Sequence, residues 1–157
     1  ATLAARDELV ELYRRMGDPA QELQSGKELL DDLLAQGEFD RAVGLLQRLV
    51  ASNPRNADLV IQLADIIQTL GDDRQAQRFY RHAVSLLQVD GRINEAKAVL
   101  DQLAELGEDP AAVAMARDLL EKGQALEWEA VRWALEQDHR RKLEGELRVS
   151  GKHPALS

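Results

Sequence analysis

The sequence predicts an all-α protein, and three observations support that fold class. Leucine and alanine together account for 48 of the 157 residues, whereas valine, isoleucine and threonine account for 16. This balance favours helix, in which β-branched side chains lose rotamer freedom. Apolar residues also recur at the three- and four-residue spacing of a buried helix face. Finally, single glycines separate these stretches, as expected for short turns between helices.

The first three helices follow from this periodicity and from local stop signals. Helix 1 is predicted at about 3–16. Helix 2, at about 19–36, has Pro19 in its first turn, where the missing N–H costs nothing. Helix 3, at about 39–52, is ended by the pair Asn53-Pro54. The residues of helix 1 that we expect to face the core are Leu9, Leu12, Tyr13 and Met16.

Five further helices complete the prediction. Helices 4, 5 and 6 are predicted at about 56–70, 73–88 and 92–106. The pair Asp109-Pro110 opens helix 7, at about 110–122. Helix 8 is predicted at about 124–148, and residues 149–157 are predicted to form a flexible tail.

The glycine spacing indicates an internal repeat. Gly17, Gly37, Gly71 and Gly91 are separated by 20, 34 and 20 residues, so a shift of 54 residues superposes the first two on the last two. Apolar helix positions coincide under the same shift. We therefore expect one domain, 1–148, made of three-helix units at 3–56 and 57–110 and a degenerate third unit at 111–148. The coinciding pairs are Leu9 with Leu63, Leu12 with Ile66, Leu33 with Leu87, Ala42 with Ala96, Leu46 with Leu100, and Leu49 with Leu103.

A shorter repeat of 34 residues is also present. Residues 23–56 and 57–90 are adjacent and resemble tetratricopeptide repeats. That resemblance implies a right-handed superhelical solenoid of antiparallel helix pairs, here of about eight helices, with a C-terminal capping helix. The residues at the family's signature positions are Leu29, Leu33, Gly37, Ala42, Leu46, Leu49 and Pro54 in the first repeat, and Leu63, Ala64, Ile67, Gly71, Ala76, Tyr80 and Ala83 in the second.

The division into repeats has an alternative. Residues 3–36 and 77–110 also fit the 34-residue spacing and overlap the first pair. We prefer the division 23–56, 57–90 and 91–122 because it leaves Asn53-Pro54 between repeats. The sequence does not determine which helices line the concave face.

The resemblance implies a binding surface on the first helix of each repeat. Three of its outward positions are acidic, and Lys27 is the one basic residue. If Leu34 and Ile61 are exposed among these acids, they suit an apolar or basic amphipathic ligand; the alternative is that both are buried between repeats. Family members that clamp a C-terminal carboxylate use Lys, Asn and Arg, and only Lys27 matches that pattern. The candidate partner-binding residues on the repeats are Lys27, Asp31, Leu34, Asp58, Ile61, Asp65 and Gln68.

The predicted C-terminal helix offers a second candidate surface. Trp128 shares one helix face with Val131 and Leu135, whereas Trp133 lies on another with Leu126 and Ala130. Two apolar faces imply two packing partners. One is helix 7, and the other is the preceding repeat, the rest of a longer solenoid or a second chain.

Several function classes are disfavoured. The chain has a net charge of −8, and residues 138–152 carry +2 of charge against −10 elsewhere, so a phosphate backbone is not the expected partner. The basic run at 139–142 is short and lacks interleaved aromatic residues, so we expect a solvated helix end. No apolar run is long enough for a membrane span. His82, His139 and His153 are scattered and cysteine is absent, so we expect no catalysis, cofactor or metal.

These features predict a non-catalytic protein–protein interaction scaffold that binds a peptide or helix on a surface built by its repeats. The expected partner is another protein or peptide of basic or amphipathic character. The alternative is a self-associating assembly module that forms a homo-oligomer, or a segment of a longer solenoid. The lack of cysteine and of a visible signal peptide favours the cytoplasm.

Overall fold

A computed structural model describes residues 2–150, and every regular element in that part of the chain is an α-helix. This confirms the predicted all-α class. Within the predicted tail, residues 151–157 lie outside the described residues, whereas Val149 ends the last helix. The helices are α1 Leu3–Arg15, α2 Pro19–Ala35, α3 Phe39–Ser52, α4 Ala57–Thr69, α5 Asp73–Val89, α6 Ile93–Glu105, α7 Pro110–Glu121 and α8 Trp128–Val149.

Local signals at both ends fix most helix boundaries. At the turn before α5, Asp72 is the N-cap, and its Oδ1 accepts a hydrogen bond from the Gln75 N–H at 3.1 Å. At the end of α2, Gly37 has φ +70°, a conformation that glycine adopts without a Cβ penalty. The Glu38 N–H then donates to the Leu33 carbonyl at 2.9 Å and closes the helix.

The start of α8 differs from the prediction. The helix begins at Trp128 rather than near residue 124 because a distant side chain holds the preceding segment. Gln88 of α5 donates to the Gln124 carbonyl at 2.6 Å and accepts from the Leu126 N–H at 2.9 Å. This bridge keeps the linker out of the helix and buries Leu126 against the core.

Each helix packs against the next one in the chain. Ion pairs also join layers two helices apart: Arg48 of α3 reaches Asp7 of α1 at 2.8 Å, and Arg92, the N-cap residue of α6, reaches Asp58 of α4 at 2.8 Å. The helices therefore form a layered array in which neighbours on both sides contribute to the core.

Small residues allow close approach inside this array. Ala42 in α3 and Ala96 in α6 are both fully buried. Leucines packed around them fill the remaining space, as close packing of helices requires. These two alanines are the pair that the 54-residue shift superposes.

The predicted inward face of helix 1 is wrong for three of its four residues. Leu9, Leu12 and Met16 are 40%, 50% and 64% exposed, and the buried residue of α1 is Val10. The reason is the number of neighbours. Helix α4 packs against both α3 and α5, whereas no described helix precedes α1 to cover its outer face.

Candidate functional site

The predicted repeat surface lies on α2 and α4. Lys27 and Asp31 are exposed on α2, and Asp58 is exposed on α4. Leu34 and Ile61 are partly buried and pack against the core. The two apolar residues therefore form the floor of a charged face rather than an open apolar patch.

Asp58 is part of a charge network on that face. Its two carboxylate oxygens accept hydrogen bonds at 2.8 and 3.3 Å from Arg92, the N-cap residue of α6, and Arg92 also pairs with Glu95. The Arg92 hydrogen bonds, its charge and the charge of Lys27 lower the pKa of Asp58 below its ordinary value. The structure thus brings together side chains of α2, α4 and α6, and Asp58 serves an intramolecular contact.

Asp65 and Gln68 are likewise engaged within the chain. The hydroxyl of buried Tyr80, on α5, donates to the Asp65 carboxylate, and Gln68 Oε1 lies 3.1 Å from the same hydroxyl oxygen. The pKa of Tyr80 is raised well above its ordinary value. Burial is the largest cause, and this hydrogen bond to Asp65 is the second. Both predicted site residues therefore help to hold α4 against α5.

The two tryptophans of α8 have different environments. Trp128 packs against the core, and its Nε1–H donates to the Arg81 carbonyl of α5 at 2.9 Å. Val131, one turn later, is buried. Trp133 is 64% exposed. The N-terminal half of α8 therefore caps its own chain through Trp128, and Trp133 remains accessible.

A cleft of about 620 Å³ that the sequence analysis missed lies between α5 and α8. Its basic lining consists of Arg74, Arg78 and Arg81, which share one face of α5, and Arg132 of α8. We call it the arginine cleft. Its remaining lining residues are Asp72, Gln75 and Gln77.

The charges in the arginine cleft are only partly compensated. Arg81 pairs with Glu108 at 2.6 Å, and these side chains are 15% and 8% exposed. Among residues 2–150, no carboxylate forms an ion pair with Arg74, Arg78 or Arg132. Three guanidinium groups therefore face solvent without an ion pair, and Asp72 is the one carboxylate among the cleft's lining residues. Guanidinium groups in this arrangement suit carboxylate or phosphate ligands.

Part of this site was readable from the sequence. Positions 74, 78 and 81 follow the four- and three-residue spacing that places side chains on one helix face. That Arg132 lines the same cleft could not be predicted from the sequence, because its position depends on the docking of α8 through Trp128.

The described residues contain neither a candidate metal cluster nor a candidate membrane span. Across 2–150, His, Cys, Asp and Glu side chains form no group of three or more that could hold a metal ion. His82 and His139 are exposed, and His153 lies outside the described residues. None of the helices in this part of the chain has the length and apolar character to cross a membrane.

Comparison with known proteins identifies the repeat. Residues 33–90 match the family described as tetratricopeptide repeat. The match runs from the second half of α2 through α3, α4 and α5, and includes Tyr80 and three arginines of the cleft. No curated protein matches the chain.

Proposed function

We propose that this tetratricopeptide-repeat protein is a non-catalytic scaffold that binds a peptide or helix of another protein on a surface built by its repeats. Members of the family are generally protein–protein interaction modules. Stacked helices form a largely preformed surface, so binding orders few protein groups and loses little conformational entropy.

The observation that carries the choice of ligand is the arginine cleft. Arg74, Arg78 and Arg132 provide three unpaired positive charges around a cavity of about 620 Å³. A peptide segment with several Asp or Glu side chains would supply the missing charges through charge-assisted, bidentate hydrogen bonds. The proposed partner at this cleft is therefore an acidic segment of another protein.

The floor of the cleft is held by several contacts. Gln77 donates to the Leu106 carbonyl at 2.5 Å, and Arg81 pairs with Glu108 at the turn between α6 and α7. Trp128 fixes α8 to α5 at Arg81. These contacts fix α5 and α8 before a ligand arrives, so the ordering cost of binding is confined to the ligand and the exposed arginine side chains.

A second candidate ligand is the basic amphipathic segment that the sequence predicts for the α2–α4 face. Asp31 supports it, because this exposed carboxylate forms no ion pair within residues 2–150. The partly buried Leu34 and Ile61 beside it would contact the apolar side of such a ligand. Asp58 and Asp65 already have partners in the chain, which makes this face the weaker candidate.

Fluorescence anisotropy with two labelled probes, octaglutamate and octalysine, tests this assignment. We expect octaglutamate to bind in a salt-sensitive manner and the double variant Arg74→Glu/Arg78→Glu to lose most of that binding. The control Arg141→Glu/Arg148→Glu makes the same charge change on the distal half of α8 and should retain it. Circular dichroism verifies that both variants are folded.

The opposite pattern identifies the second candidate. Binding of octalysine but not octaglutamate, abolished by Asp31→Lys, would overturn the arginine cleft in favour of the α2–α4 face. Equal loss of octaglutamate binding in both arginine variants would show non-specific attraction and contradict a defined site.

A further inference from the structure

Two exposed apolar stripes lie on the first and last described helices. The α1 stripe consists of Ala5, Leu9, Leu12 and Met16, all exposed on the outer face of α1. The α8 stripe consists of exposed Trp133 and Leu143 and half-buried Leu147, which fall within one side of α8 at 100° per residue, together with the charged residues Glu136 and Arg140 on that side. Neither stripe overlaps the arginine cleft lining.

The α1 stripe corresponds to a face that another helix covers elsewhere in this chain. The 54-residue shift superposes Ala5, Leu9 and Leu12 on three α4 residues that are buried where α4 packs between α3 and α5. On α1, which has α2 but no described preceding helix, the same positions line a groove of about 610 Å³. The groove thus has the side-chain pattern of a helix-packing face. The buried α4 counterparts are Leu59, Leu63 and Ile66.

The α8 stripe is separate from the face that caps the chain. Trp128, Val131 and Leu135 face the core, whereas Trp133 and Leu143 are exposed. A large exposed aromatic side chain such as Trp133 is a typical anchor for protein association, and Leu143 lies about 15 Å further along the same helix.

The charges of the two stripes and of the segments around them bear on this contact. Glu8, Glu11 and Arg15 line the α1 groove, which leaves it one acidic charge in excess, whereas Glu136 and Arg140 balance each other on the α8 stripe. On a larger scale, residues 138–152 carry +2 of charge and the rest of the chain carries −10. Attraction of this kind steers and orients an encounter more than it adds affinity.

We propose that the α8 stripe of one copy docks on the α1 stripe of a second copy. The contact is heterologous, so each pair keeps one free stripe of each kind, and assembly continues into a row of copies unless the geometry closes a ring. A single helix packed in a groove buries less area than a standard stable interface, so the association is weak and concentration-dependent. The proposed contact does not involve the arginine cleft, so it does not depend on whether that cleft binds an acidic peptide.

Sedimentation velocity with two end-blocked variants tests it. Leu9→Lys/Leu12→Lys blocks the α1 stripe, and Trp133→Glu/Leu143→Glu blocks the α8 stripe; all four residues are exposed, so folding should be retained. The parent chain should sediment faster as its concentration rises into the high micromolar range, and each variant alone should remain monomeric. An equimolar mixture of the two variants should form dimers and nothing larger, because each supplies one intact stripe.

Two further variants keep the test decisive. Val89→Lys changes an exposed apolar residue outside both stripes and should assemble like the parent. Glu8→Lys leaves both apolar stripes intact and should weaken assembly through charge alone. A monomeric parent throughout the concentration range, a monomeric mixture of the blocked variants, or assembly by either blocked variant alone would overturn the proposal.

Discussion

Replacing Gly26 by alanine should destabilise the protein, although glycine-to-alanine changes inside helices usually stabilise. Gly26 is buried in the middle of α2, and a Cβ there would lie 2.7 Å from Cδ2 and 2.8 Å from Cδ1 of Leu49 on α3. Carbon atoms pack best at about 3.5–4.0 Å. Leu49 is fully buried, so the overlap forces it to move within a packed core.

The change in the free energy of unfolding on Gly26→Ala is the balance of two opposing effects. The alanine gains about 1 kcal/mol of helix propensity over glycine. Overpacking in a filled core costs about 1–3 kcal/mol. Gly44, in the interior of α3, is a matched control, because a Cβ there meets no heavy atom within 4 Å. The difference between the two variants cancels the propensity gain, so Gly26→Ala should be about 1–3 kcal/mol less stable than Gly44→Ala.

Urea unfolding followed by circular dichroism measures both free energies of unfolding. In a background of Leu49→Ala, which removes the obstructing methyl groups, Gly26→Ala should become stabilising. If Gly26→Ala raises the free energy of unfolding of the parent as much as Gly44→Ala does, the close approach of α2 and α3 at this point is wrong.

Three further predictions concern packing, pH and metal. Ala42→Leu and Ala96→Leu should each cost about 1–3 kcal/mol by overpacking fully buried sites, and parent-like thermal melts of both would contradict the 54-residue register. Burial and Asp65 raise the pKa of Tyr80, which favours its neutral form in the fold, so this contribution to stability is complete below about pH 10 and is lost as the pH rises further. Tyr80→Phe should therefore flatten the alkaline loss of stability, and an unchanged slope in urea titrations across that pH range would refute the assignment. A chelator should leave the melting temperature unchanged, whereas a drop of many degrees would reveal a structural metal.

Helix positions were largely predictable because their signals are local. Asp72 and Gly37 act within a few residues of the boundary they define. The start of α8 was not predictable, because Gln88 holds residues 124–127 from a distance along the chain. Burial on α1 also depends on neighbours that periodicity alone does not specify. The stripe pattern of Leu9 and Leu12 showed that the face is apolar but not whether a helix covers it.

Some features of the candidate site could likewise be predicted from the sequence, whereas others depend on how the helices pack. The sequence placed Lys27 and Asp31 on an exposed helix face, and the structure agrees. It could not show that Asp58 pairs with Arg92, because that contact joins helices brought together by packing. The arginine cleft needed the same information, since Arg132 reaches it only through the docking of α8.

The most direct test of acidic-peptide binding is an NMR titration of the full chain with octaglutamate, observed at the arginine Nε–Hε resonances. We predict that the signals of Arg74, Arg78 and Arg132 shift together and saturate, while those of Arg141 and Arg148, on the distal half of α8, stay unchanged. If all exposed arginines shift alike, or if the cleft arginines do not respond, the arginine cleft is not a peptide-binding site.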